Sequence, residues 1–123
     1  MFKIRIRKSD QLFSKYLREK IGRCEVCHRK DGLQVSHFWG RRHESVRHSE
    51  ENCDILCFSC HRKFTEDPPL YHDWKFKKLG ENRYNLLKIK AQSYCKRDEA
   101  IALLYVKSLI KKYDNLEKGE IRS

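Results

Sequence analysis

The sequence predicts a small α+β domain: a zinc-stapled β-hairpin and the helix after it form a ββα core, flanked by N- and C-terminal α-helices. Three observations predict it. Two Cys-x-x-Cys pairs stand at Cys24/Cys27 and Cys57/Cys60, short strand-like stretches lie between them, and apolar residues recur at helical spacing on both sides. The length of 123 residues suits one domain. The chain reads as a single unit over 1–123, with the stapled core over about 22–66 and a helical extension over about 69–116.

Residues 1–8 alternate apolar and basic side chains, as an edge strand or an ordered arm would. Ser9 or Asp10 is a good N-cap for a helix that places Leu12, Phe13, Tyr16, Leu17 and Ile21 on one face, and Gly22 stands where a C-terminal cap belongs. Asp31-Gly32 then turns into Leu33–Phe38, which alternates as a strand does and puts His37 near its end. Residues 39–51 form a polar loop, and Cys53–Leu56 reads as a second short strand able to pair with the first. A short helix begins at Cys57 or Phe58 and stops at Asp67-Pro68-Pro69. Leu70, Trp74 and Leu79, then Tyr84, Leu87 and Ala91, mark two further helices separated by Gly80. The last helix opens on Asp98 and Glu99 and closes with Lys111 and Lys112, matching the polarity of its dipole.

Lys and Arg number 28 against 17 Asp and Glu, a net charge of +11 that attracts polyanions. Nucleic acid is therefore the expected partner class. No stretch approaches 18 apolar residues, and the N-terminus lacks the apolar core of a signal peptide. A soluble, cytoplasmic protein without membrane contact is expected.

Free thiols in a reducing compartment suit metal better than disulfides. The two Cys-x-x-Cys pairs are separated by 29 residues, a spacing that fits two knuckles joined by a hairpin. Four soft ligands with no open position make a structural zinc site, held by Cys24, Cys27, Cys57 and Cys60. A redox dithiol is the competing reading, but no thioredoxin-like βαβ pattern accompanies it. Cys53, on the second strand, reads as buried, and Cys95 as a plain core or helix thiol.

Around this staple stand His37, Asn52 and His61. With the strands paired and the helix packed across them, His37 and His61 can converge as a base and a metal ligand about a phosphate. Asn52 is suited to pinning the loop or His37 through its amide.

The arrangement CEVC, then LQVSHF, then VRHSEENCDILCFSCHRKF resembles the HNH, or ββα-metal, endonucleases, in particular the zinc-bearing branch with endonuclease VII-type junction resolvases. SDQLFSKYLREKIGRCEVC and LGENRYNLLKIKA also resemble the NinG-like phage recombination proteins. The resemblance implies a metal-dependent DNA endonuclease in a bacterial or phage-infected cell. His37 would be its general base, Asn52 its positioning residue and His61 a ligand of a catalytic Mg²⁺ or Mn²⁺. Many members carry Asp before the base, and this chain has Ser36, a weak ligand. Water, DNA phosphate and His43 or His48 are then expected to complete the shell.

Arg41, Arg42, Arg47, Arg62 and Lys63 cluster around this constellation and are expected to clamp phosphates, with Lys75, Lys77, Lys78, Lys88 and Lys90 extending the footprint. Tyr71, Trp74, Phe76, Tyr84, Tyr105 and Tyr113 read as core. For Phe38 and Trp39 both packing and DNA contact are open. The apolar face of the last helix is the candidate seam for a homodimer. The rival function is a non-catalytic zinc ribbon that binds nucleic acid through its basic surface.

Overall fold

The computed structural model describes residues 6–117. Its elements run α1 (Lys8–Ile21), β1 (Leu33–His37), two single 3₁₀ turns (Glu44–Val46 and Glu50–Asn52), β2 (Cys53–Cys57), α2 (Phe58–Glu66), α3 (Pro68–Leu79), α4 (Glu81–Gln92) and α5 (Glu99–Glu117). The α+β class holds, as an antiparallel hairpin among helices.

β1 and β2 pair with Leu33 opposite Cys57, Val35 opposite Ile55 and His37 opposite Cys53. Every residue of β2 is buried because the strand is covered on both sides. Cys53 and Ile55 pack with Phe13, Tyr16 and Leu17 of α1 and Val106 of α5. Leu56 faces the other way, with Phe64 of α2 and the Cys24 and Cys57 thiols, and Tyr71 and Trp74 of α3 lie against that cluster. A third cluster joins Val46, Leu79, Tyr84, Leu87 and Ala91, with Phe38 and Trp39 packed on it.

α1 ends as its sequence predicts: Gly22 takes φ 73° and its N–H reaches the Arg18 carbonyl at 2.9 Å, a left-handed cap that side chains disfavour. Its start differs. Lys8 is already helical, the preceding Arg7 makes no side-chain cap bond, and both expected caps serve long-range contacts instead. Ser9 donates from its N–H (2.9 Å) and its hydroxyl (2.6 Å) to Glu99, and Asp10 takes Arg47 and His48. Arg7 bridges Glu99 (2.8 Å) and Glu44 (2.8 Å), tying the head of α1 to α5 and the loop. Of the expected edge strand, residues 1–5 lie outside the described residues, and Ile6 and Arg7 belong to no strand. Ile21 is exposed, so the buried face of α1 ends at Leu17.

Pro68 and Pro69 stop α2 and also open α3, occupying its first turn, where their missing N–H groups leave no gap, while Asp67 accepts from Leu70 N–H at 3.2 Å. Gly80, at φ 81°, separates α3 from α4. α5 starts at Glu99 with Asp98 accepting from Ile101 N–H, and it buries only Val106 completely. Ile101, Leu104 and Tyr105 stay exposed on its outer face, as do Leu70 on α3 and Leu86 and Ile89 on α4. Phe76 and Tyr105 are accordingly surface residues rather than core. Among the described residues no helix is long and apolar enough to cross a membrane.

Candidate functional site

The loop after α1 and the junction of β2 with α2 carry the four cysteines. Their sulfurs all lie within 4.8 Å of one another, and Cys27 Sγ is 3.6 Å from Cys57 Sγ. A tetrahedral ion with sulfur at 2.3 Å needs its ligands about 3.8 Å apart, so the cluster has the dimensions of a metal site. A disulfide would need about 2.05 Å, and all six cysteines are free. Each pair is knuckled by its own backbone. Val26 and Cys27 N–H groups point at Cys24 Sγ (3.4 and 3.5 Å), and Cys60 N–H points at Cys57 Sγ (3.5 Å). Burial alone would raise the Cys24 thiol, but these amides and that of Cys57 bring it down to about 6. Burial and the neighbouring cysteines push Cys60 up to about 12, so ionising all four sulfurs together requires a cation in their midst. Cys53 is buried on β2 and stands apart from the cluster. Cys95 is exposed in the non-helical connection before α5, against the expectation of a core or helix thiol.

His37 closes β1 and His61 sits one residue past Cys60 on α2. Both line the same two grooves, so the hairpin and helix bring them to a common ridge. Their protons are fixed by what they touch. His37 Nε2 donates to the Arg47 carbonyl at 3.0 Å, which leaves the lone pair on Nδ1. His61 Nδ1 donates to Gln34 Oε1 at 2.7 Å, which leaves the lone pair on Nε2. Burial, reinforced by the Arg41 charge, lowers His37 to about 4, and burial lowers His61 as well. Both imidazoles are neutral at pH 7.

Asn52 is fully buried and staples the loop: its Oδ1 accepts from Trp39 N–H (2.8 Å), and its Nδ2 donates to Trp39 O (2.9 Å) and Val46 O (3.2 Å). It braces the chain just after His37 and does not touch His37 by hydrogen bond, the first of the two roles its amide is suited to. Ser36 is buried with its hydroxyl on Tyr71 OH at 2.9 Å. His43 donates to the Ala91 carbonyl (3.0 Å) and His48 to Asp10 (3.0 Å), so neither completes a shell about His61. Among the described residues, the four cysteines are the one group of three or more His, Cys, Asp or Glu gathered closely enough for a metal.

The smaller groove, about 340 Å³, is polar and joins the two histidines to Gln34, Arg41 and the α1 residues Asp10, Ser14 and Arg18. Arg18 was not expected here, yet Asp10, Ser14 and Arg18 form a polar stripe at i, i+4, i+8 beside the buried face of α1. Of the five expected phosphate contacts, Arg41 lies in this groove and Arg42 is exposed beside it. Arg47 is instead a structural residue, paired with Asp10 through Nε at 2.9 Å and bonded to the Arg41 carbonyl at 3.1 Å. That pairing, with His48, holds the Asp10 carboxyl at about 2 although burial opposes it. Arg62 is exposed and pairs with Glu66, and with Lys63 it lines a separate surface of α2.

Behind the ridge lies a polar network that sequence alone did not reveal. Asp54, directly opposite Ser36 in the hairpin, is fully buried and accepts from Lys75 (2.8 Å), Lys78 (2.6 Å) and Tyr71 OH (2.7 Å). Lys75 is itself completely buried, so it contributes nothing to a DNA-facing surface, and burial lowers it despite Asp54. Lys78 also reaches Glu25 (2.7 Å), whose other oxygen accepts from Ile55 N–H (2.8 Å). The first cysteine knuckle, β2 and α3 are thereby joined through charge. Tyr71, Lys75 and Lys78 share one face of α3, a stripe visible in the sequence once a buried acid is sought.

No protein-family model, curated protein or solved structure matches the chain.

Proposed function

We propose that the protein is a metal-dependent endonuclease that hydrolyses phosphodiester bonds in DNA, with zinc in the four-cysteine cluster as a structural ion. One observation carries the reading: His37 and His61, on the strand and helix of one ββα unit, line the same two grooves with opposite nitrogens left unprotonated. His37 Nδ1 takes the proton from the attacking water, and its Nε2–H, anchored on the Arg47 carbonyl, keeps the ring oriented. Asn52 holds the turn at Trp39 so that the ring keeps its place. Arg41 and Arg18 offset phosphate charge from the polar groove. His61 Nε2 is the protein donor available to a divalent ion. With the Ser36 hydroxyl engaged by Tyr71, water and DNA phosphate would have to supply the rest. Mg²⁺ or Mn²⁺ held there would offset charge on the phosphate and on the leaving oxygen, which takes its proton from water as its bond to phosphorus breaks.

Supercoiled plasmid and a synthetic four-way junction, incubated with Mn²⁺, Mg²⁺ or EDTA, test this. Cutting that needs a divalent ion and disappears in a folded His37→Ala variant is the expected outcome. DNA binding with no cutting under either metal would overturn the nuclease in favour of a zinc ribbon that only binds.

A further inference from the structure

Away from the histidines, α4, α5 and the two 3₁₀ turns enclose a trough made of two adjoining recesses of about 340 and 350 Å³. Ser49, Lys90 and Tyr105 line both recesses, and no residue of the trough belongs to either histidine groove. Its walls carry apolar side chains that stand in water. Leu86 on α4 is 65% exposed, and Ile101 and Tyr105, one turn apart on α5, are 63% and 49% exposed. The packing of α5 on α1 does not account for them, because it uses Val106, Leu109, Ile110 and Tyr113. Aliphatic side chains gathered beside a recess mark a surface that another molecule covers.

The charges around the trough define that molecule. Each of its acids is already engaged: Glu44 with Arg7 (2.8 Å), Glu50 with Lys20 (2.8 Å), Glu51 with Arg83 (3.6 Å), and Asp98 as acceptor from the Ile101 N–H (3.1 Å). Lys90, where the recesses meet, and Lys96 in one of them have no carboxylate within ion-pair distance among the described residues. A ligand that fits therefore joins large apolar side chains to negative charge. A second copy of the chain fails the charge requirement, since at +11 it brings like charge against the lysines. Nucleic acid fails the other, since Leu86 and Ile101 are aliphatic and offer no ring on which a base stacks. A protein segment in which Asp or Glu stands beside bulky apolar residues meets both.

We propose that the trough between α4 and α5 docks an acidic, apolar-rich segment of another protein, its large side chains against Leu86, Ile101 and Tyr105 and a carboxylate on Lys90. The inference goes beyond the nuclease reading and does not rest on it. A partner seated here leaves both histidine grooves open.

The probe is a displayed library of random short peptides, panned against the zinc-loaded full chain. Sequences that join Asp or Glu to Phe, Leu or Trp are expected. The most frequent one is synthesised with a fluorophore and titrated beside a copy in which Ser replaces its apolar residues. The copy should bind about tenfold more weakly, the size of one large apolar side chain left in water. Lys90→Glu and Leu86→Ser, at exposed positions, should each weaken the original peptide by a similar factor with the melting temperature unchanged. Lys63→Glu, the same charge change on the exposed face of α2, should not. Equal binding of the peptide and its Ser copy, or an equal loss in Lys63→Glu and Lys90→Glu, reduces the attraction to net charge and overturns the proposal. A library that yields no acidic, apolar-rich sequence overturns it too. Sedimentation of the protein alone decides for or against a second copy: a dimer that Leu86→Ser dissolves places the chain itself in the trough. If Lys90→Glu weakens binding of duplex DNA as strongly as that of the peptide, the trough belongs to a DNA footprint and the acidic partner falls.

Discussion

The hairpin and the helix after it carry two groups of side chains built on opposite plans, four cysteines and two histidines. At the cysteine end four sulfurs come from the protein, each pair is held by its own amides, and no position is left for a substrate. At the histidine end two imidazoles line a pair of grooves, and no third protein donor joins them among the described residues. A closed donor set stabilises a fold, and an incomplete one leaves positions for a reactant. On the proposed function, the same short hairpin supports rigidity at one end and chemistry at the other.

The widest separation between the two ends is expected on removing ligands. Cys57→Ser, or prolonged chelation, should unfold the ββα unit, because structural zinc contributes on the order of 10 kcal/mol, comparable to a domain's whole stability. Loss of helical circular dichroism together with release of one zinc per chain checks it. A chain that keeps its melting temperature without zinc would remove the structural role. His37→Ala should do the reverse: a 10²- to 10⁴-fold loss of cleavage, the usual share of a general base, with the fold retained.

Asp54→Ala probes what stands between the two ends. It leaves Lys75 charged and fully buried with no counter-ion, and a loss of about 3–5 kcal/mol is expected in denaturant unfolding. A double Asp54→Leu, Lys75→Met variant should recover much of that loss, since an apolar pair needs no compensation there. If the single variant were neutral, the network would not be what couples the first cysteine knuckle to α3.

This network also marks where the sequence stops being readable. The hairpin was legible because Leu33, Val35 and Ile55 alternate, and because two cysteine pairs at this spacing can converge on one ion. His37, Asn52 and His61 were legible for the same reason: their positions are fixed relative to those cysteines. Asp54 was not, because an acid alternating with apolar residues reads as solvent-facing, and its partners stand 21 and 24 residues further on a lysine-rich helix. Arg47 misled in the same way. Its contact with Asp10 spans 37 residues and exists only once α1 packs on the hairpin. Local periodicity reports which face a residue occupies, whereas charge pairing between elements is decided by tertiary packing.

A smaller effect concerns pH. Burial and Arg41 lower His37 to about 4, so its neutral form, the one able to accept a proton, persists on acidification well below its ordinary value of 6.5. The acid limb of kcat/KM, which reports the free enzyme, should therefore fall near pH 4. At pH 5.5 the rate should stand about tenfold above that of an enzyme whose base titrates at 6.5. Zinc content measured across the same range distinguishes protonation of the base from loss of the ion. Arg41→Gln, removing a charge that holds the value down, should move the limb upward.

The smallest effect separates two arginines that lie six residues apart and look alike in sequence. Arg41 is exposed in the polar groove, while Arg47 is turned inward on Asp10. A side chain that neutralises one phosphate contributes about 0.9 to the slope of log affinity against log salt. Arg41→Ala should therefore flatten that slope by nearly one and weaken binding a few-fold at moderate salt, with the melting temperature unchanged. Arg47→Ala should leave the slope alone and lower the melting temperature, because it frees a partly buried carboxylate and loosens the carbonyl that orients His37. Should both variants flatten the slope equally, Arg47 would have to leave Asp10 on binding DNA, and the histidine ridge would be reshaped by its substrate instead of being set in advance.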